Sequence, residues 1–203
     1  QNEGMKRTLL FALALAVTPV GVDAQVPDLE EVRAFAEEGV AGAQYFLGNM
    51  YFDGEGVPED DAEAARWYRL AAEQGFARAQ SALGVMYLNG LGVPEDDAEA
   101  VRWYRLAAEQ GEVLAQYNLG LMYSNGDGVP EDAAEAARWW RLAADQGNAD
   151  AQYTLGYVYA TGAGVLGDDV EAVRWYRLAA DQGYATAQYN LGNRYANGEG
   201  VPE

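Results

Sequence analysis

AQYNLGLMYSNGDGVPED, residues 115–132, followed by EAARWWRLAADQG at 135–147, decides how this chain is organised. The first stretch is a helix-length run that ends in a glycine–proline break. The second is a helix-length run flanked by acidic residues and a glycine. Both recur. Trp67, Trp103, Trp139 and Trp175 stand 36 residues apart, as do Gly48, Gly84, Gly120, Gly156 and Gly192. Repeats at such a period mean stacked supersecondary units. Four complete units run 40–75, 76–111, 112–147 and 148–183, and a fifth occupies 184–203.

Each unit reads as two helices. In the first, for instance Ala77 to Asn89, the residues Ala79, Leu83, Met86 and Tyr87 form one apolar stripe at helical spacing. Gly84 within it costs about 1 kcal/mol relative to alanine, so its recurrence implies a close helix–helix approach. Asp96 is the expected N-cap of the second helix, with Glu99 three residues on as in a capping box. Ala100, Trp103, Tyr104, Ala107 and Ala108 form its buried face. Glu99/Arg102 and Arg105/Glu109 are the expected surface pairs. Gly111 is the expected C-cap. So small a pair cannot bury a tryptophan and two tyrosines by itself, and stacking on neighbours makes an all-α solenoid of antiparallel helix pairs.

The quoted residues closely resemble the Sel-one-like repeat family, relatives of the tetratricopeptide repeats, over residues 40–203. The resemblance implies a right-handed superhelix that serves as a scaffold for protein–protein interaction, in bacteria often exported. Relatives act in signalling, envelope assembly, host interaction and polysaccharide export. Some cysteine-rich members carry one disulfide per repeat and are linked to penicillin binding. This chain has no cysteine.

Composition narrows the function further. The 203 residues contain neither cysteine nor histidine, which removes thiolate catalysis, Cys/His zinc sites and a serine–histidine triad. The formal net charge is −19, which disfavours nucleic acid and anionic membranes and favours basic partners. The single lysine, Lys6, opens a segment from Met5 with a basic start, an apolar run from Leu9 to Val17 and small residues before Gln25. This is the pattern of a secretory signal peptide, expected to span 5–24, and its apolar run is too short to cross a bilayer. The expected product begins at Gln25, is exported (periplasmic or secreted) and has no transmembrane segment. The expected N-terminal capping helix is 25–39: residues 28–39 match the end of a second helix without its tryptophan, and carry Glu30, Glu31, Glu37 and Glu38, as a polar capping helix should.

Four motifs suggest other chemistry. Gly162, Gly164 and Gly167 spell G-x-G-x-x-G, but the segment before them reads as a helix where a dinucleotide loop needs a strand. The acidic runs such as Glu59-Asp60-Asp61 read as helix caps more readily than as a calcium loop. The R-W-Y-R quartet, Arg66 to Arg69 and its copies, reads as structural. Ser81 and Ser124 lack the S-x-x-K setting of a β-lactamase-like enzyme. The sequence therefore predicts no catalytic, cofactor or metal site. Leu166-Gly167 replaces the proline–glutamate of the sister loops, so this inter-helix joint is expected to be the most mobile.

A candidate partner-binding surface lies where the repeat varies. In related solenoids the first helices line the concave groove, and there this chain places Tyr45, Asn49, Phe52, Val85, Leu88, Tyr117, Leu121, Tyr153, Tyr157, Tyr189 and Asn193. Tyrosine combines contact area with a hydroxyl at low entropy cost. The same tyrosines, Tyr117, Tyr153 and Tyr189 above all, also suit packing between neighbouring helices. The leading expectation is an exported, non-enzymatic scaffold binding a protein or peptide in that groove. The alternatives are an envelope glycan or peptidoglycan binder and, more remotely, a β-lactamase-like envelope enzyme.

Overall fold

The computed structural model describes residues 28–200, and among them the regular structure is entirely α-helical. The helices are α1 (Leu29–Glu37), α2 (Ala41–Asp53), α3 (Asp61–Glu73), α4 (Ala77–Asn89), α5 (Asp97–Glu109), α6 (Val113–Asn125), α7 (Ala133–Asp145), α8 (Ala149–Thr161), α9 (Asp169–Asp181) and α10 (Ala185–Asn197). Each helix packs on the next within two compact units, which divide after Leu106 inside α5. In the first unit α1 packs on α2, α2 on α3 and α3 on α4; in the second the same succession runs from α6 to α10. The expected signal peptide, residues 5–24, lies outside the described residues, and so does the start of the capping segment.

The second helices begin as the sequence predicts. Asp60 accepts hydrogen bonds from the backbone N–H groups of Ala62 and Glu63, both at 3.0 Å. Asp132 and Asp168 repeat this at α7 and α9. Each such cap contributes about 1 kcal/mol. The reciprocal half of the capping box gives way to a different contact: Glu63, Glu99, Glu135 and Glu171 turn to the arginine three residues on, at 2.9–3.2 Å. These helices end on Gln74, Gln146 and Gln182 as C-caps. The glycine follows one residue later at φ +87 to +92°, Gly111 included, so it stands just past the cap rather than on it.

A tryptophan and the aromatic residue beside it hold successive pairs together. Trp67 is buried with Val32, Ala36, Leu47 and Met50 of the preceding helices, whereas Tyr68 is buried with Ala79, Leu83 and Met86 of the following one. In the second unit Trp175 reaches back into the cluster of Trp140, Ala143 and Leu155, while Tyr176 reaches forward to Ala187. Between them the repeated glycine does what its recurrence implied. A Cβ on Gly48 would lie 2.6 Å from the Tyr68 ring, and one on Gly156 2.5 Å from that of Tyr176.

Buried glutamines supply a second, polar seam. Gln44, Gln80, Gln116 and Gln152 are each 4% exposed. Their amide N–H groups donate to the carbonyls of Ala36, Ala72, Ala108 and Ala144 at the C-terminus of the preceding element, all at 3.1 Å. Gln44, Gln116 and Gln152 also accept from Gln74, Gln146 and Gln182 at 2.7–2.8 Å. Carbonyls that a helix end leaves open are thus satisfied inside the protein rather than by water.

The glycines of the first motif belong to the loop. Gly162 is the left-handed C-cap of α8, with φ +74°. Gly164 lies against the Ala133 carbonyl at the start of α7, where a Cβ would strike backbone, as Gly92 does against Asp61. Gly167 meets neither constraint: its φ is not positive, and a Cβ would sit 3.5 Å from the Tyr159 carbonyl. The loop also keeps its sister's hydrogen bonds. Asp168 N–H donates to the Tyr159 carbonyl at 3.0 Å as Asp132 does to Tyr123 at 2.8 Å. The backbone therefore accepts the sister residues. The double variant Leu166→Pro/Gly167→Glu is expected to stabilise the second unit by about 0.4–1 kcal/mol, by restricting the unfolded chain. A lower midpoint in urea would refute this reading.

Candidate functional site

The first helices bear the candidate residues, and each compact unit presents its own set. In the first unit Tyr45 packs on Tyr68, with ring centroids 5.8 Å apart, and on Phe76 at 5.3 Å. Asn49 accepts the Tyr68 hydroxyl hydrogen at 2.8 Å. Phe52 packs at the margin of the core, and Val85 and Leu88 are half-buried. Burial, then the nearby Tyr45 and the carboxylates of Asp53 and Asp61, push the Tyr68 hydroxyl far above its ordinary range, so it stays a neutral donor.

In the second unit Tyr117 and Leu121 lie half-buried against the core, and Tyr153 packs on Tyr176 at 5.9 Å and on Tyr184 at 5.0 Å. Tyr157, Tyr189 and Asn193 are exposed, the two tyrosines at 53% and 70%. The variable positions therefore divide. Tyr45, Asn49, Tyr117 and Tyr153 are engaged with neighbours, while Tyr157, in a complete unit, is open to solvent. Leu114, which the repeat comparison does not single out, is 57% exposed on α6.

Two further residues of this face escape a reading of variable positions alone. Asp150, in the first turn of α8, is exposed. Burial, and then the neighbouring Asp150, raise the Tyr184 hydroxyl above its ordinary range. Burial and then the Asp150 charge raise that of Tyr117. The signal was present in the sequence. At the position of Asp150 the other units carry Gly42, Arg78, Leu114 and Thr186.

The R-W-Y-R quartet is occupied within the fold. Arg66, Arg138 and Arg174 lie over the rings of Trp67, Trp139 and Trp175 at 4.1–4.8 Å while paired to glutamate. In three of the copies the outer arginine reaches a tyrosine of the next helix. Arg69 donates to the Tyr87 hydroxyl at 2.6 Å, and Arg141 and Arg177 donate likewise to Tyr159 and Tyr195. A tyrosine of the next helix offers a partner in fixed position, where the same-helix carboxylate is solvated and mobile. No helix among the described residues is long and apolar enough to cross a membrane.

Helices packed in succession within each compact unit of the described residues, a 36-residue period and a glycine seated under an aromatic ring define an α-solenoid repeat protein. The Sel1 repeat model matches residues 41–76, 77–112, 113–148, 149–184 and 185–203, and the chain belongs to the Sel1 repeat family. Among solved structures it is similar to c5321, a protective antigen present in uropathogenic Escherichia coli strains. That likeness has 45% identity and a TM-score of 0.84, covering 86% of this chain and 37% of that one. It is also similar to a Sel1 repeat protein from Oxalobacter formigenes, with 36% identity, a TM-score of 0.75 and coverage of 86% and 69%. The immunity protein Pa5087 from Pseudomonas aeruginosa shares the fold at 22% identity and a TM-score of 0.54, covering 89% and 68%. The chain thus spans little more than a third of the length of c5321. Among curated proteins nothing matches.

Proposed function

We propose that this chain is an exported, non-enzymatic scaffold that holds a protein or peptide segment against the exposed side of its first helices. The observation that carries the reading is the composition of that side in the second unit. Leu114 and Tyr157 stand open to solvent among three 13-residue helices whose only charged residues are Asp150 and Arg194. Arg194 is itself paired to Asp169 and Glu199. Large aromatic and apolar groups exposed together on a weakly charged face, in a chain of net charge −19, suit a partner more than solvent. Sel1 repeats are a scaffold fold typical of protein–protein interaction, which supports the same conclusion.

The test is capture from an envelope extract, comparing the wild type with Leu121→Ala/Tyr157→Ala. Specific capture by the wild type and its loss in the variant are expected; unchanged capture overturns the reading. Export rests on the pattern of residues 5–24. A secreted or periplasmic product beginning at Gln25, read by mass spectrometry, is the expected result, and a cytoplasmic product retaining Met5 refutes it.

A further inference from the structure

We propose that the first-helix face of the second unit contains a seat for one cationic side chain of a protein partner, with Asp150 as counter-charge and Tyr117, Tyr153 and Tyr184 as its aromatic surroundings. This rests on the reading of that face as a docking surface and names the chemistry of what docks.

Asp150 is the only carboxylate on α6, α8 and α10, although the chain carries 32 acidic residues. Most of the others lie on loops and second helices, several of them capping a helix or paired with arginine. Asp150 does neither. The cap of α8 is Asn148, which accepts from the Ala151 N–H at 2.8 Å. Asp150 stands one turn before Tyr153 on α8, and its charge bears on the hydroxyls of Tyr117 and Tyr184. Tyr153 and Tyr184 are stacked, 5.0 Å apart and 19° from parallel. A carboxylate bordered by aromatic rings attracts a cation twice, by its charge and by the negative faces of the rings.

The fold does not require this cluster. At the position of Tyr184 the other units carry Val40, Phe76, Glu112 and Asn148. Glu112 and Asn148 cap their helices through their side chains, whereas Tyr184 makes no capping bond and stacks its ring on Tyr153 instead. The first unit supplies an internal control. There Tyr45 packs on Phe76 in the matching arrangement, but Gly42 stands where Asp150 would be. A net charge of −19 also draws basic partners toward the chain, leaving Asp150 to fix where one side chain lands.

The probe is a fluorescein-labelled peptide, Ala-Ala-Arg-Ala-Ala-Arg-Ala-Ala, titrated by anisotropy into the wild type, Asp150→Asn and Asp145→Asn. Asp145 is an exposed carboxylate at the end of α7, away from the first-helix face, and controls for general acidity. Binding at least about fivefold weaker in Asp150→Asn, and within about twofold of wild type in Asp145→Asn, is expected. Equal weakening in both variants, or none in Asp150→Asn, overturns the seat. Ring signals in NMR give a second readout. Those of Tyr117, Tyr153 and Tyr184 should shift saturably with the peptide while those of Tyr45 stay fixed; equal shifts at Tyr45 also overturn it. If Leu121→Ala/Tyr157→Ala abolishes partner capture while Asp150→Asn leaves peptide binding intact, the face docks a partner but the seat is wrong. The reverse result retains the seat and refutes the wider docking surface.

Discussion

Replacing Trp175 with alanine is expected to lower the stability of the second unit by about 3–5 kcal/mol, the range for deleting a large aromatic from a core. Trp175 is 1% exposed and among the largest fully buried side chains. It packs on α7 and α8 through Ala136, Ala137, Trp140, Ala143 and Leu155. Five of the cluster's nine buried members are alanines already, so little side-chain volume is free to collapse into the space. Its indole N–H also donates to Glu171 at 3.1 Å. Urea unfolding followed by circular dichroism gives the magnitude, and a loss below about 1.5 kcal/mol would contradict the packing argument. Because Trp175 binds α9 to the preceding pair, amides of α9 and α10 should lose protection from hydrogen exchange before those of α7. A milder pair of variants isolates the hydrogen bond. Trp175→Phe removes a satisfied donor, whereas the Trp139 indole N–H is buried without an acceptor, so Trp139→Phe forfeits no bond. The first should therefore cost more than the second.

Much of this architecture was readable from spacing. A 36-residue recurrence of glycine and tryptophan fixes the helix pairs, and the bounds read for Ala77–Asn89 are those of α4. The caps at Asp60, Asp132 and Asp168 follow from one residue type in one place, and so does α1, whose Val32 and Ala36 are buried while Glu30, Glu31, Glu37 and Glu38 face solvent. The site was less legible, because its state depends on pairs of residues at unequal separations. Asn49 reads as a free amide until Tyr68, 19 residues on, claims its oxygen. Arg69 finds Tyr87 at a separation of 18, and Gln44 finds Gln74 at 30. Tyr45 and Tyr153 are covered because the residue opening the next unit is Phe76 or Tyr184, at a position where Glu112 and Asn148 cap helices. Periodicity marks which positions repeat. What each one touches is set by the residues that vary.

The repeated glycine itself yields the clearest contrast, since one substitution should act in opposite directions at two copies. Any Gly→Ala change inside a helix gains about 1 kcal/mol of propensity. At Gly156 the new methyl would lie 2.5 Å from the Tyr176 ring, closer than real Cβ contacts come. That ring is 2% exposed and packed with Ala172 and Ala179, so it cannot swing away. Overpacking of this kind costs about 1–3 kcal/mol and exceeds the propensity gain. At Gly192 nothing lies within 4 Å of the added Cβ. Gly192→Ala in the 203-residue chain is therefore expected to raise the urea midpoint, and Gly156→Ala to lower it. Restoring space tests the cause. In a Tyr176→Leu background the alanine at position 156 should cost much less, with a coupling between the two changes of about 1 kcal/mol or more in a double-mutant cycle. If Gly156→Ala and Gly192→Ala shift the midpoint alike, the glycine is kept for something other than the aromatic ring above it.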